Sequence, residues 1–312
     1  MNPADPAPAA EAVAAAARLL RERYVFPDRA ARAADALAGD LAAGRYGGVA
    51  DADLCAALTA QLQAHCADLH LRVTWRERPV DPAAADAEAR ARYRAHLARR
   101  GYGVARAQRG ADGVAVVELT DVGPAEWIAP AVAAAFQLVA GCRALLLDLR
   151  ENRGGTPDGA ALVCSYLLPP EPALVNTVCR PDGDVRQYWS WPWLPAPRCA
   201  DAPVWVLTSA RTFSGAEEIA YNLRALGRAT LVGEPSRGGA HPVAVHWLTP
   251  HVALHLPYAR SVNPVTGTNW EGTGVRPDVA VPAADAEATA RRLAAAAGGS
   301  GAAAGAAAPA GG

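Results

Sequence analysis

The chain has 312 residues, with 30 basic and 31 acidic side chains giving a formal net charge of −1, and 51% of it is hydrophobic. That length allows a sizeable core in one large or two ordinary domains, and evenly mixed charge without a basic stripe or aromatic RNA motif excludes a nucleic-acid scaffold. No uncharged apolar run reaches the roughly 18 residues a membrane helix needs; the first twenty residues lack a cationic start and are broken by Arg18, so no secretory signal or anchor is expected and the expected compartment is the cytoplasm.

Residues 8–68 read as a helical unit. AEAVAAAARLLRERY, RAARAADALAGDLAAG and DADLCAALTAQLQAHC place apolar residues at helical spacing, separated by Pro27 and by Gly47-Gly48. Asp51 or Asp53 is the expected cap of the third helix. LRVTW (71–75) alternates like a strand, and a charged helix follows that Gly101 ends. From about 103 strands alternate with helices. GVAVVELTDV is a strand, Pro130 suits the first turn of the next helix, and RALLLDL is a continuous apolar run of the kind buried on both faces of a sheet. A long loop over 169–200 contains WSWPW and is expected to drape over a surface or site. VWVLTS, the helix GAEEIAYNLRALG and RATLVGE come next, then HPVAVHWLTPHVALHLPYA, which alternates on both sides of a Thr-Pro turn as a hairpin does. The expected organisation is an N-terminal helical domain over 1–75, a connecting helix over 76–102, an α/β core over 103–290 and a disordered Ala/Gly tail over 291–312. Six scattered cysteines without a CxxC pair read as reduced structural thiols.

In such sheets ligands gather at the carboxyl ends of strands. Two loops stand there: RENRGGTPDG after LLLDL, and SARTFSG after VWVL. Ser214 precedes GAEE with Glu217 three residues on, which is a capping box. A serine at a helix N-terminus also stands beside backbone N–H groups that lack helical partners, a setting that suits a nucleophile. Both readings are open on local grounds. Gly215 would donate its N–H to a developing oxyanion, and Gly154 or Gly155 could supply a second donor from the other loop. Among the seven histidines, His70 stands out at a helix-to-strand junction in ADLHLRV. Glu271, beside Trp270 in a glycine-rich loop, is either a solvated carboxylate or a group that orients a base. No HExxH or tight His/Cys/Asp spacing suggests a metal, and no cofactor is expected.

Taken together, LLLDLRENRGG, TSARTFSGAEEIAYNLRALGRATLVGE and NPVTGTNWEGTGVRPDVAV resemble the S41 serine peptidases, which include carboxyl-terminal processing proteases and the tricorn core. RYVFPDRA, LTAQLQAHCADLHLRV, GGAHP and PVTGTNWEGTGV are similar to the bacterial relatives of interphotoreceptor retinoid-binding protein. The resemblance runs from about residue 12 to 282. It implies a ClpP/crotonase-like α/β core with an N-terminal helical domain, and the segment after His70 is too short for a PDZ domain. It places the nucleophile on Ser214, a histidine base on His70 and a supporting glutamate on Glu271, with oxyanion donors at Gly215 and at Gly154 or Gly155. The chain departs from the pattern twice. The lysine base of processing proteases falls on Gly239, with Arg237 a poor substitute because it stays protonated, and the serine that precedes the tricorn-like histidine is Leu69 here.

The expected function is a serine hydrolase, most simply a peptidase working through an acyl-enzyme on Ser214, with a peptide or other acyl compound as its partner. Two other readings compete. One is a non-catalytic carrier of hydrophobic small molecules such as retinoids or fatty acids, with WSWPW lining an apolar pocket. The other is recruitment of the same site to acyl transfer or cyclisation, which fold does not decide.

Overall fold

The computed structural model describes residues 6–47, 49 and 51–302. Helices α1 (Pro6–Arg23), α2 (Pro27–Ala42) and α3 (Asp51–Cys66) lead into β1 (Arg72–Trp75), and α4 (Ala85–Arg99) follows. The next elements are β2 (Val104–Arg109), β3 (Val114–Leu119), α5 (Ala125–Val139), β4 (Ala144–Asp148) and α6 (Pro157–Ser165). Strands β5 (Leu174–Cys179), β6 (Val185–Trp189) and β7 (Val204–Thr208) precede α7 (Gly215–Ala225) and β8 (Ala229–Gly233). The chain closes with β9 (Val243–Trp247), β10 (Val252–Pro257), β11 (Arg260–Val262), β12 (Val279–Ala280) and α8 (Ala286–Ala302). Among the described residues no helix is long and apolar enough to cross a membrane.

Two units emerge. The first comprises Met1–Arg94, Thr177–Arg186 and Gly239–Val262, and the second Ala95–Asn176, Gln187–Gly238 and Asn263–Gly312. In the first unit the stripes of α1, α2 and α3 bury Leu20, Leu37, Leu54, Leu58 and Leu62 in one apolar cluster that also takes in Leu254 and Leu256 of β10. There β1 pairs antiparallel with β10, Val73 facing Leu254, and β10 pairs with β9. The expected hairpin therefore belongs to the helical unit and serves as the floor on which its helices pack.

The second unit is built on a six-stranded sheet in the order β12-β8-β7-β4-β3-β2, parallel except for the antiparallel edge strand β2. Strands β4 and β7 are buried at all five positions, as their unbroken apolar runs require of central parallel strands. Helices lie in the crossovers from β3 to β4, from β4 to β7 and from β7 to β8, so the loops after β4 and β7 emerge side by side at one edge of the sheet.

Four local expectations are corrected. Pro130 lies inside α5, because the helix starts at Ala125, whose N–H the Asp158 carboxylate accepts at 2.9 Å. Asp51 and Asp53 sit within the first turn of α3, where they favour the helix dipole without capping it. The segment 169–200 carries β5 and β6, with β5 paired to β11. Helix α8 continues to Ala302, into the Ala/Gly-rich stretch; residues 303–312 of the tail, and Gly48 of the Gly-Gly break, lie outside the described residues.

Candidate active site

The loop after β7 is tied down by its own small polar side chains. The Ser209 hydroxyl donates to the Arg150 carbonyl at 2.6 Å and the Thr212 hydroxyl to the Leu149 carbonyl at 2.9 Å. The Phe213 N–H reaches the Asn152 carbonyl at 3.1 Å. These bonds draw the strand-to-helix turn against the loop that leaves β4. Outside it, the Arg237 guanidinium lies over the Phe213 ring, 4.9 Å from its centroid.

Ser214 occupies the cap position of α7 with φ 53° and ψ −121°. A positive φ in a non-glycine residue is strained, and persists only where the surroundings over-determine it. Here Glu217 supplies the restraint. Its carboxylate is fully buried and accepts the Ser214 N–H at 2.7 Å, the Ser236 hydroxyl at 2.5 Å and the Gly238 N–H at 2.6 Å. The expected capping box is thus present, and Glu217 extends it into a brace between two loops.

The Gly-Gly turn stands against this serine. A Cβ on Gly154 (φ +98°) would meet Gly215 N at 2.6 Å and Ser214 Cβ at 2.8 Å, and one on Gly155 would overlap the Val122 carbonyl oxygen at 1.6 Å. Only glycine permits this approach. Buried Asn152 then separates the two glycines chemically: its side-chain carbonyl accepts the Gly154 N–H at 2.8 Å while its amide donates to the Leu119 carbonyl at 3.0 Å. Gly154 is therefore not available as an oxyanion donor. The N–H groups of Gly155 and Gly215 have no acceptor among the described residues, and Gly155 N lies 3.0 Å from where a Cβ on Gly215 would stand.

Glu271 belongs to the same unit. Its loop is anchored on both sides: the Gly272 N–H donates to the Gly238 carbonyl at 3.0 Å, and the buried Trp270 ring packs 5.3 Å from that of Tyr221 on α7. The Glu271 N–H is held by the Asn269 side chain at 3.0 Å. Since Gly238 also donates to Glu217, the loops carrying Ser214 and Glu271 share one brace.

One further acid on α7, Glu218, is buried without a charge partner among the described residues. Burial, with a contribution from Asp158 and against a hydrogen bond from Asn176, pushes the Glu218 carboxyl up to about 8 from 4.5. A raised carboxyl means that the folded protein binds more protons than the unfolded chain between pH 4.5 and about 8. Stability then declines as pH rises through that window, by at most about 1.4 kcal/mol per pH unit. Glu218→Gln is expected to remove the decline: its Tm should match the wild type near pH 5 and exceed it above pH 8. Parallel Tm–pH curves for the two proteins would refute this assignment.

His70 belongs to the other unit, in the turn between α3 and β1. It is half-buried, and its N–H donates to Asp68 Oδ1 at 3.0 Å. The Gln63 side chain spans the same turn, donating to the carbonyls of Leu69 and Leu71 at 3.4 and 3.2 Å. Sequence reasoning passed over Asp68, Asn152 and the bracing role of Glu217. Asp68 had one local signal, an acid two residues before a histidine; the other two act through loops that only the fold brings together.

Residues 113–281 match the sequence model described as Peptidase family S41, and residues 7–97 match the N-terminal domain of Peptidase_S41 in eukaryotic IRBP. A candidate peptidase from Parabacteroides merdae superposes with a TM-score of 0.64 at 18% identity, covering 90% of this chain and 94% of that one. The tricorn protease superposes at 0.56 with 13% identity, covering 90% of this chain and 35% of the other. A photosystem II D1 C-terminal processing protease matches at 24% identity and a TM-score of 0.46 over 56% of this chain, which spans only 43% of that protease. At these identities the structural likeness is one of fold.

Proposed function

This chain belongs to peptidase family S41 and is a serine-type peptidase, and we propose that Ser214 is its nucleophile, His70 the general base and Glu271 the acid that holds that base. His70 takes the Ser214 proton as the hydroxyl oxygen attacks a peptide carbonyl. The tetrahedral oxyanion accepts from the N–H groups of Gly155 and Gly215. His70 then returns the proton to the leaving amine. In the second half water attacks the acyl carbonyl as His70 takes its proton, and the Ser214–acyl bond breaks as His70 returns that proton to the serine oxygen. These steps use side chains and backbone alone. The observation that carries the reading is the pair of N–H groups without acceptors, on Gly155 and Gly215, flanking a serine in a strained conformation at a helix N-terminus. The substrate is a peptide, and the cytoplasm is the proposed working compartment.

A carrier of apolar molecules fits less well. Trp189, Trp191 and Trp193, expected to line its pocket, are 46%, 38% and 75% exposed. Arg198 holds the loop from beneath by donating to the Trp191 and Pro192 carbonyls. A fluorophosphonate probe separates the two readings. One probe per chain is expected on Ser214 by mass spectrometry, with labelling slowed in His70→Ala. A wild-type protein that stays unlabelled, or a label on another residue, would overturn the assignment.

A further inference from the structure

The first unit packs its helices around alanine and leucine, yet it buries a carboxylate against an imidazole. Asp68 is 0% exposed and His241 3%. His241 Nδ1 lies 2.7 Å from Asp68 Oδ2, the Tyr24 hydroxyl donates to the same oxygen at 3.1 Å, and Asp68 Oδ1 takes the His70 N–H. The Phe26 ring covers His241 edge-on, 5.2 Å between centroids. Burial works against the Asp68 charge, but the hydrogen bond from His241, the neighbouring His241 and His70 rings and the His70 N–H outweigh it and hold the carboxyl below its usual range. Two neighbouring groups stay neutral: burial first, and the Asp68 charge next, push the Tyr24 hydroxyl far up, and burial pushes the Cys66 thiol to about 11.

An ionised carboxylate can only accept, so the His241 proton is on Nδ1. Asp68 is thereby held by three donors from three parts of the chain: Tyr24 at the end of α1, His70 two residues away, and His241 173 residues on. A buried carboxylate–imidazole pair adds little to stability over apolar side chains of the same volume. Its placement next to His70 is what needs explaining.

We propose that Asp68, clamped by His241 and Tyr24, is the positioning residue of His70: it fixes the backbone of the base, and through it the direction in which the imidazole is presented. The inference rests on His70 being the base. Loss of the clamp lets that ring wander, and misplacement of about 1 Å in a reacting group can lower a rate by on the order of 10²-fold.

The test measures kcat and KM on a peptide substrate, each normalised to active sites titrated with a fluorophosphonate. Asp68→Asn is expected to lower kcat per titrated site by about 10- to 10²-fold with KM within about twofold. Tyr24→Phe removes a single bond to Asp68 and should lower kcat severalfold in the same way. A merely structural role would reduce the number of titratable sites and leave turnover per site unchanged; that result overturns the proposal. Where Asp68→Asn fails to fold, Tyr24→Phe decides by the same criterion. His70→Ala, measured alongside, separates the two levels. If it loses turnover while the Asp68 and Tyr24 variants keep theirs, only the positioning role falls. If it keeps turnover while His241→Ala loses it, His241 is the base and both readings fall.

Discussion

Replacing Ser214 by alanine is expected to lower kcat by on the order of 10⁴- to 10⁶-fold, the range found when the nucleophile of a serine enzyme is removed. The change should leave the fold in place. Of the two reciprocal bonds of the capping box, alanine keeps the one from the Ser214 backbone N–H to Glu217 at 2.7 Å and loses only the one to the serine side chain. Alanine also tolerates φ 53° no worse than serine does, so no new strain is added. The two measurements are peptide turnover and the thermal melt, with Tm within a few degrees of the wild type. Turnover within tenfold of the wild type would remove Ser214 from the mechanism, and would leave its strained backbone without a functional reason.

Gly154→Ala should produce the second large effect, for a different reason. Its N–H is already committed to Asn152, so the variant removes no oxyanion donor. The added methyl would meet Gly215 N and the Phe213 carbonyl oxygen, each at 2.6 Å, and Ser214 Cβ at 2.8 Å, at a backbone φ of +98°. Backbone lines two sides of that space, so the two loops must part, and Gly155 N–H and Gly215 N–H cease to point at one oxyanion. Loss of one donor costs about 10²–10³ in kcat, and the same loss is expected here, with KM much less affected. The strain adds a destabilisation of about 1–3 kcal/mol, visible as a Tm lowered by roughly 2–4 °C per kcal/mol in a protein of this size. A variant with wild-type kcat would show that the Gly-Gly turn serves only the tight packing of the loop.

These two predictions divide the site into what was legible in the sequence and what was not. Ser214 and Gly215 could be singled out because a strand-to-helix junction is a local pattern: a buried apolar run, a small polar residue, then helical spacing. The Gly154-Gly155 turn was legible as a pair, but the roles of its members were not. Asn152 decides between them, and nothing in RENRGG says that its side chain turns back to the N–H two residues on. Glu217 was visible as the third residue of a capping box; its bonds to Ser236 and Gly238 depend on a loop about twenty residues away.

The same division holds for the fold. Apolar periodicity identified α1, α2 and α3, the buried runs of β4 and β7 and the β9–β10 hairpin, since each is set by which faces of a short segment must leave water. Pro130 misled because a proline matters to a helix through its local backbone, whereas the start of α5 was decided by Asp158 capping Ala125 from another helix. Strands β5 and β6 were missed for a related reason: the prolines and tryptophans around them carry turn signals, and what makes β5 a strand is pairing with β11, which arrives late in the chain, with β6 then pairing on β5.

By itself, then, the sequence determined the order of the elements other than β5 and β6, the family motifs and the identity of the candidate nucleophile, because each depends on contacts within a few residues. Only the tertiary structure decided that the hairpin floors the helical unit, that Gly155 and not Gly154 presents a bare N–H, and that Asp68 meets His241. The physical reason is common to all three. A hydrogen bond or buried pair between residues as far apart as Asp68 and His241 leaves no periodic trace along the chain; it exists only once packing has brought the two segments together and removed the water that would otherwise satisfy them.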